Sequence, residues 1–171
     1  YGLDIRDHAF SLCYGLTEVV LPEGVTSLGT GAFAGASAAD DEEGNPTVAR
    51  NMHLESITLP STLVSIGENV LAYNDAMTEL VIPNGSYTDP STGETSYLDY
   101  IPMYAFTRMY ALESVTIEGA DKPAAEGGSH ITVIDDYAFR DNADMTSFTL
   151  PYELEEVGLD AFTGAGVAAF T

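Results

Sequence analysis

Apolar residues recur along this chain in a fixed frame built around the phrase apolar-Gly-x-x-Ala-Phe. LGTGAF ends at Phe33, IGENVL at Leu71, IPMYAF at Phe106, IDDYAF at Phe139 and VGLDAF at Phe162. Eight residues before these positions stand Val25, Leu63, Leu98, Ile131 and Leu154, and, with Phe10 counted as a sixth such position, five before stand Ile5, Leu28, Ile66, Ile101, Ile134 and Val157. Six residues after come Leu16, Met77, Leu112 and Met145, each opening a new copy. Where no insertion intervenes, as from Phe10 to Phe33 or from Phe139 to Phe162, the period is 23 residues. Self-similarity at such a period signals a stack of identical units.

One copy predicts its own elements. In LTEVVLP, Leu16, Val19 and Leu21 fall on one side while Glu18 and Val20 alternate to the other, as a strand of period two requires. Pro22 lacks an N–H and ends the ladder. Glu23-Gly24 turns the chain, and VTSLG offers a second short strand with Val25 inward. The Ala-rich stretch through Phe33 suits one turn of helix or 3₁₀ that plugs the phenyl ring into the core. A single copy cannot bury its apolar face, so the core closes only by stacking. The expectation is one repeat domain over 1–171, with about six partly degenerate copies.

The composite frame Leu-x-x-Val-x-Leu-Pro-x-x-Val-x-x-Ile-Gly-x-x-Ala-Phe-x-x-Cys closely resembles the BspA-like, or Treponema-type, leucine-rich repeat. The best copies lie at 16–36 and 54–74; Leu71 in place of Phe, Glu118 in place of Pro, and Pro102 and Asp135 in place of Gly are departures. The resemblance implies a leucine-rich-repeat solenoid: a right-handed coil of short parallel β-strands and short helical or 3₁₀ turns, mostly β and irregular. It also implies a secreted or cell-surface protein, in bacteria or some protists, that adheres to matrix proteins or other cells.

Charge narrows the partners. With 27 Asp and Glu against 5 Lys and Arg, the formal charge of −22 repels phosphate backbones and argues against nucleic acid or anionic membrane. No apolar run is long enough to insert in a bilayer, and nothing reads as a leader peptide. The chain starts and stops in mid-copy, at Tyr1 and in VAAFT, which reads as a piece of a longer protein.

Candidate chemistry is sparse. Cys13 has no cysteine partner and falls three residues after Phe10, a register that predicts a small buried side chain. His8, His53 and His130 lack metal-ligand spacing. No nucleophile elbow or phosphate-binding glycine loop is present. The expectation is a monomer that is no enzyme and carries no cofactor.

The outward stripe of the first strand, Val20, Thr58, Val81, Thr116 and Thr149, carries no aromatic or arginine anchor. Three insertions break the frame, near 39–53, 86–97 and 120–130. The second and third leave from the same point of adjacent copies and are expected side by side on one edge, where repeat proteins often bind. Tyr87, Tyr97, Tyr100, Tyr104 and Tyr110 crowd this part of the sequence with Arg108, and interfaces enrich both residue types. These six are the candidate binding residues, for an extracellular protein or cell-surface ligand or, as the alternative, a glycan. The first insertion holds Asp40, Asp41, Glu42 and Glu43. It reads as a solvated acidic loop, with calcium as the weaker alternative because the oxygens lack EF-hand spacing. A passive spacer and a glycan-binding accessory domain of an extracellular enzyme remain as further readings.

Overall fold

The computed structural model describes residues 2–35 and 53–171. The acidic segment with Asp40, Asp41, Glu42 and Glu43, and with it the calcium alternative, lies outside these residues.

The described strands are, in chain order, β1 (Leu3–Ile5), β2 (Glu18–Val20), β3 (Val25–Leu28), β4 (Ser56–Thr58), β5 (Ser65–Ile66), β6 (Glu79–Ile82) and β7 (Ser86–Thr88). They continue with β8 (Thr95–Tyr97), β9 (Tyr100–Ile101), β10 (Ser114–Ile117), β11 (Val133–Ile134), β12 (Ser147–Phe148), β13 (Glu156–Val157) and β14 (Ala169–Phe170). Apart from the antiparallel pair β7 and β8, all pairings are parallel and join equivalent frame positions. Val19 lies opposite Ile57, and Leu80 opposite Val115. The alternation predicted for the first strand is complete in β6 and β10, where Glu79 and Val81 are exposed while Leu80 and Ile82 are buried.

The solenoid therefore has two strand ladders. On one side β2 pairs with β4, β6 with β10, and β12 with β14; on the other, β1-β3-β5 and β9-β11-β13 form two sheets. Both ladders are interrupted between the coil of β4 and β5 and the coil of β6 and β9, which share no strand pairing and are joined by backbone bonds on the turn side, such as Leu71 to Ala105 and Tyr73 to Thr107. Gly29, Gly67 and Gly158 explain the glycine of the frame. A Cβ at any of them would run into the backbone of the preceding coil, at Asp7, Thr30 and Asp136 respectively.

The third side of the coil differs from the expectation of a short helix around each phenylalanine. The chain there forms tight turns, and the one 3₁₀ turn among the described residues is Ala124–Glu126 in an insertion. Two residues before each core ring, the backbone is left-handed: His8, Gly31, Asn69, Tyr104, Tyr137 and Asp160 have φ between 53° and 59°. Two residues after it, Leu12, Tyr73, Arg108, Asp141 and Gly164 are left-handed too. Each non-glycine residue in this state costs roughly 1–2 kcal/mol. A third ladder of backbone bonds offsets that cost, because the kinks turn alternate N–H groups toward the next coil. Tyr104, Phe106 and Arg108 donate to the carbonyls of Asp136, Ala138 and Arg140 at 3.2, 2.9 and 2.8 Å. Gly31, Phe33 and Gly35 donate in the same way to Glu68, Val70 and Ala72.

Inside the coil, Phe33, Leu71, Phe106 and Phe139 are buried, as are Leu63, Leu98, Ile101, Ile131 and Ile134 from the frame. Phe106 and Phe162 stack on either face of Phe139, with centroids 5.3 and 5.4 Å away. Two expectations need correction. Phe162 is only partly buried, and Cys13 is exposed rather than buried. Both belong to outer coils of the described stack, where burial that the neighbouring coil would supply is incomplete. Asn74 and Asn142 occupy the register of Cys13 on inner coils and are fully buried. Their amides donate to the carbonyls of Phe33 and Phe106 at 2.9 and 3.0 Å, and Asn142 Oδ1 accepts from the Met109 N–H, whereas Asn74 Oδ1 is buried without a partner among the described residues.

Candidate functional site

The second insertion is a hairpin. Its strands β7 and β8 pair Ser86 with Tyr97 and Thr88 with Thr95. Asp89 organises the tip: its carboxylate accepts from the Ser91 hydroxyl and N–H at 2.6 Å, bonds that hold its pKa below the ordinary value. Gly85 sets the hairpin's base, since a side chain there would strike the Leu63 carbonyl.

The third insertion lies against the second, as the frame predicted. The Tyr97 ring stacks on the His130 imidazole, 3.8 Å between centroids. Below them the Asn84 amide donates to the carbonyls of Gly127 and Gly128 at 3.2 and 2.8 Å. Two loops of adjacent coils thus make one ridge, with Tyr97 exposed and Tyr87 half-buried.

The six candidate residues do not form one group. Tyr87 and Tyr97 belong to the ridge. Tyr100 lies on β9, where its hydroxyl donates to Asp135, and that bond above all pushes the phenol up to about 12. Tyr104, Arg108 and Tyr110 lie beyond β9 on the turn side of the coil. The reason is the coil itself, which turns a corner between the hairpin and each of these later residues.

On the turn side Tyr104 and Arg108 meet residues that sequence neighbourhood did not bring forward. Tyr104 stacks on Tyr137 of the next coil at 4.9 Å, nearly parallel, and the Arg140 guanidinium lies 5.3 Å from the Tyr137 centroid. The Arg108 guanidinium lies 5.6 Å from the Tyr73 centroid. Arg108 and Arg140 both approach the same oxygen, Oδ2 of Asp141, at 3.2 and 3.5 Å. Although desolvation pulls the Arg108 pKa down, the bond to Asp141 leaves it raised. Asn69, Tyr73, Tyr104, Thr107, Arg108 and Arg140 line a cleft of about 320 Å³ here. The usable signal was vertical: Tyr73 and Arg108 share one register, Tyr104 and Tyr137 another.

The first-strand stripe is exposed at Val20, Thr58, Val81, Thr116 and Thr149, as expected. Beside it, Glu23, Ile57, Thr58, Leu59, Ser61, Val81, Pro83 and Glu118 line a groove of about 400 Å³. Glu23 there accepts from the Ser61 N–H and hydroxyl at 3.1 Å. Among the described residues no group of three His, Cys, Asp or Glu side chains could hold a metal, and no helix is long and apolar enough to cross a membrane.

Comparison with known proteins bears on this architecture. The profile of the BspA type leucine rich repeat region matches residues 3–41 and 50–171, in 6 copies. The fold is similar to that of a leucine rich cell surface protein from Faecalibacterium prausnitzii A2-165, with a TM-score of 0.57 and 19% identity over 98% of this chain. It is also similar to a leucine-rich repeat protein from Bacteroides ovatus, with a TM-score of 0.54 and 20% identity over 92% of this chain. This chain spans 42% and 37% of the lengths of those two structures. No curated protein matches it.

Proposed function

Because this chain belongs to the BspA-type leucine-rich-repeat family, we propose that it is a non-enzymatic, surface-associated module that binds an extracellular protein through loops displayed on a rigid coil. The observation that carries this reading is the contact between Tyr97 and His130. It joins two insertions that the coil does not need into a single ridge, and an ordered aromatic ridge is the kind of surface on which binding energy concentrates. The similarity to a leucine rich cell surface protein supports the location outside the cell. In this reading residues 1–171 act as one repeat domain and as a monomer.

The test is a binding isotherm against matrix or partner-cell proteins captured on the immobilised chain. Saturable binding that is lost on replacing Tyr87 and Tyr97 by Ser supports the module. A purely structural spacer would capture no protein saturably, and binding indifferent to both substitutions would move the contact surface off the ridge.

A further inference from the structure

We propose that the cleft on the turn side binds a carboxylated monosaccharide, such as a hexuronic acid residue within a glycan. The site is separate from the tyrosine ridge and does not depend on the function proposed for it. Its shape comes from a difference between coils at one register. Tyr104 and Tyr137 stack there in successive coils, while the preceding coil carries the shorter Asn69. The Asn69 N–H donates to the Met103 carbonyl, so the two coils are in contact, yet above Tyr104 the column lacks one ring. Tyr137 covers one face of Tyr104 and leaves the other toward this gap.

The walls fix the chemistry. Of 5 Lys and Arg in a chain of net charge −22, two line this one cleft. They share a single carboxylate oxygen, so Asp141 forms no bidentate fork with either guanidinium. Among the described residues, the terminal nitrogens of Arg140 have no partner, and Arg108 spends one on the Tyr73 hydroxyl at 3.4 Å. The site therefore keeps uncompensated N–H donors suited to an oxyanion.

The remaining lining is Asn69, two tyrosines and Thr107, whose hydroxyl donates to the Arg140 carbonyl, with no Leu, Ile, Val, Ala or Met. A peptide anchor would ask for an apolar pocket. A pyranose chair with an apolar C–H face, equatorial hydroxyls and one carboxylate matches an aromatic floor with polar walls. The volume sits at the lower end of small-ligand sites, the scale of a single sugar ring. The strongly negative remainder of the chain disfavours long polyanions, which selects an isolated acid group.

The experiment is an NMR titration of the 171-residue chain with methyl glucuronide, methyl glucoside and N-acetylglutamate amide. Methyl glucuronide should bind saturably with a Kd of millimolar order, and methyl glucoside at least about tenfold more weakly. Asn69→Tyr fills the gap with a side chain that the same register already carries twice, so the fold and melting temperature should hold while glucuronide affinity falls at least about tenfold. Arg140→Gln should erase the preference for the acid over the glucoside. Replacing Tyr87 and Tyr97 should change none of this. Absence of glucuronide binding, undiminished binding in folded Asn69→Tyr, or equal binding of N-acetylglutamate amide would overturn the proposal, the last by marking an acidic-peptide site.

Discussion

The hydroxyl of Tyr100 donates to the carboxylate of Asp135 on the neighbouring coil, which ties β9 to the turn that follows β11. That bond raises the phenol from its ordinary pKa to about 12. The folded state holds this proton more tightly than the unfolded state, whose phenol titrates near 10. The stabilisation is therefore complete below about pH 10 and disappears as the pH climbs toward about 12. An absorbance titration of the phenols should show one late-titrating tyrosine that Tyr100→Phe removes. If Tyr100→Phe instead removes a phenol that titrates near 10, the bond is absent in solution.

Phe139 is buried between two rings, whereas Phe162 has a neighbouring ring stack on one side only. Phe139→Ala should cost about 3–5 kcal/mol in chemical denaturation. Phe162→Ala should cost distinctly less, since part of the side chain is in water already. Equal losses would contradict the gradient of burial along the coil.

The hairpin tip hangs outside the coil, anchored by bonds from Ser86 to Ser61 and from Leu98 to Gly85. Removing residues 88–95 leaves those anchors and Tyr97 in place. Shortening a solvated loop should shift unfolding by less than about 1 kcal/mol. A large loss of cooperativity on thermal unfolding would mean that the tip braces the scaffold.

Asp160 is exposed and left-handed with φ 53°, so Asp160→Gly should leave stability unchanged or raise it by up to about 1 kcal/mol. Gly31→Ala should do the reverse. It adds a side chain in the same left-handed state and drives a Cβ to 2.6 Å from His8 Nδ1. Paired melting curves decide the matter, and opposite signs are the expected result.

The coil was legible because its frame residues need only be apolar and correctly spaced. Val25, Leu63, Leu98 and Ile131 read as inward and are buried. Val157, at an equally good frame position, is 48% exposed, because burial in a solenoid is conferred by the next coil and not by the residue itself. The left-handed turns escaped notice since Tyr, Leu and Arg stand at several of those positions, and only Gly31, Asn69, Asp141, Asp160 and Gly164 carry the local signature. Half of the candidate site was legible. Tyr97 met the third insertion as reading along the chain foresaw, but the partners of Tyr104 and Arg108 come from other coils. Reading down the registers pairs Tyr104 with Tyr137 and Arg108 with Tyr73, which distance along the chain conceals.

The interrupted ladders have a mechanical meaning. A pull along the axis loads the junctions between coils in series, so the weakest junction sets the strength of the whole. The junctions of β2/β3 with β4/β5 and of β6/β9 with β10/β11 keep both strand pairings, while that of β4/β5 with β6/β9 keeps neither and holds by the bonds of the turn side and by Ser86 to Ser61. Tension along the axis would part the stack first at that unpaired junction and leave the tyrosine ridge whole, since the two coils that build it are the ones held by both ladders.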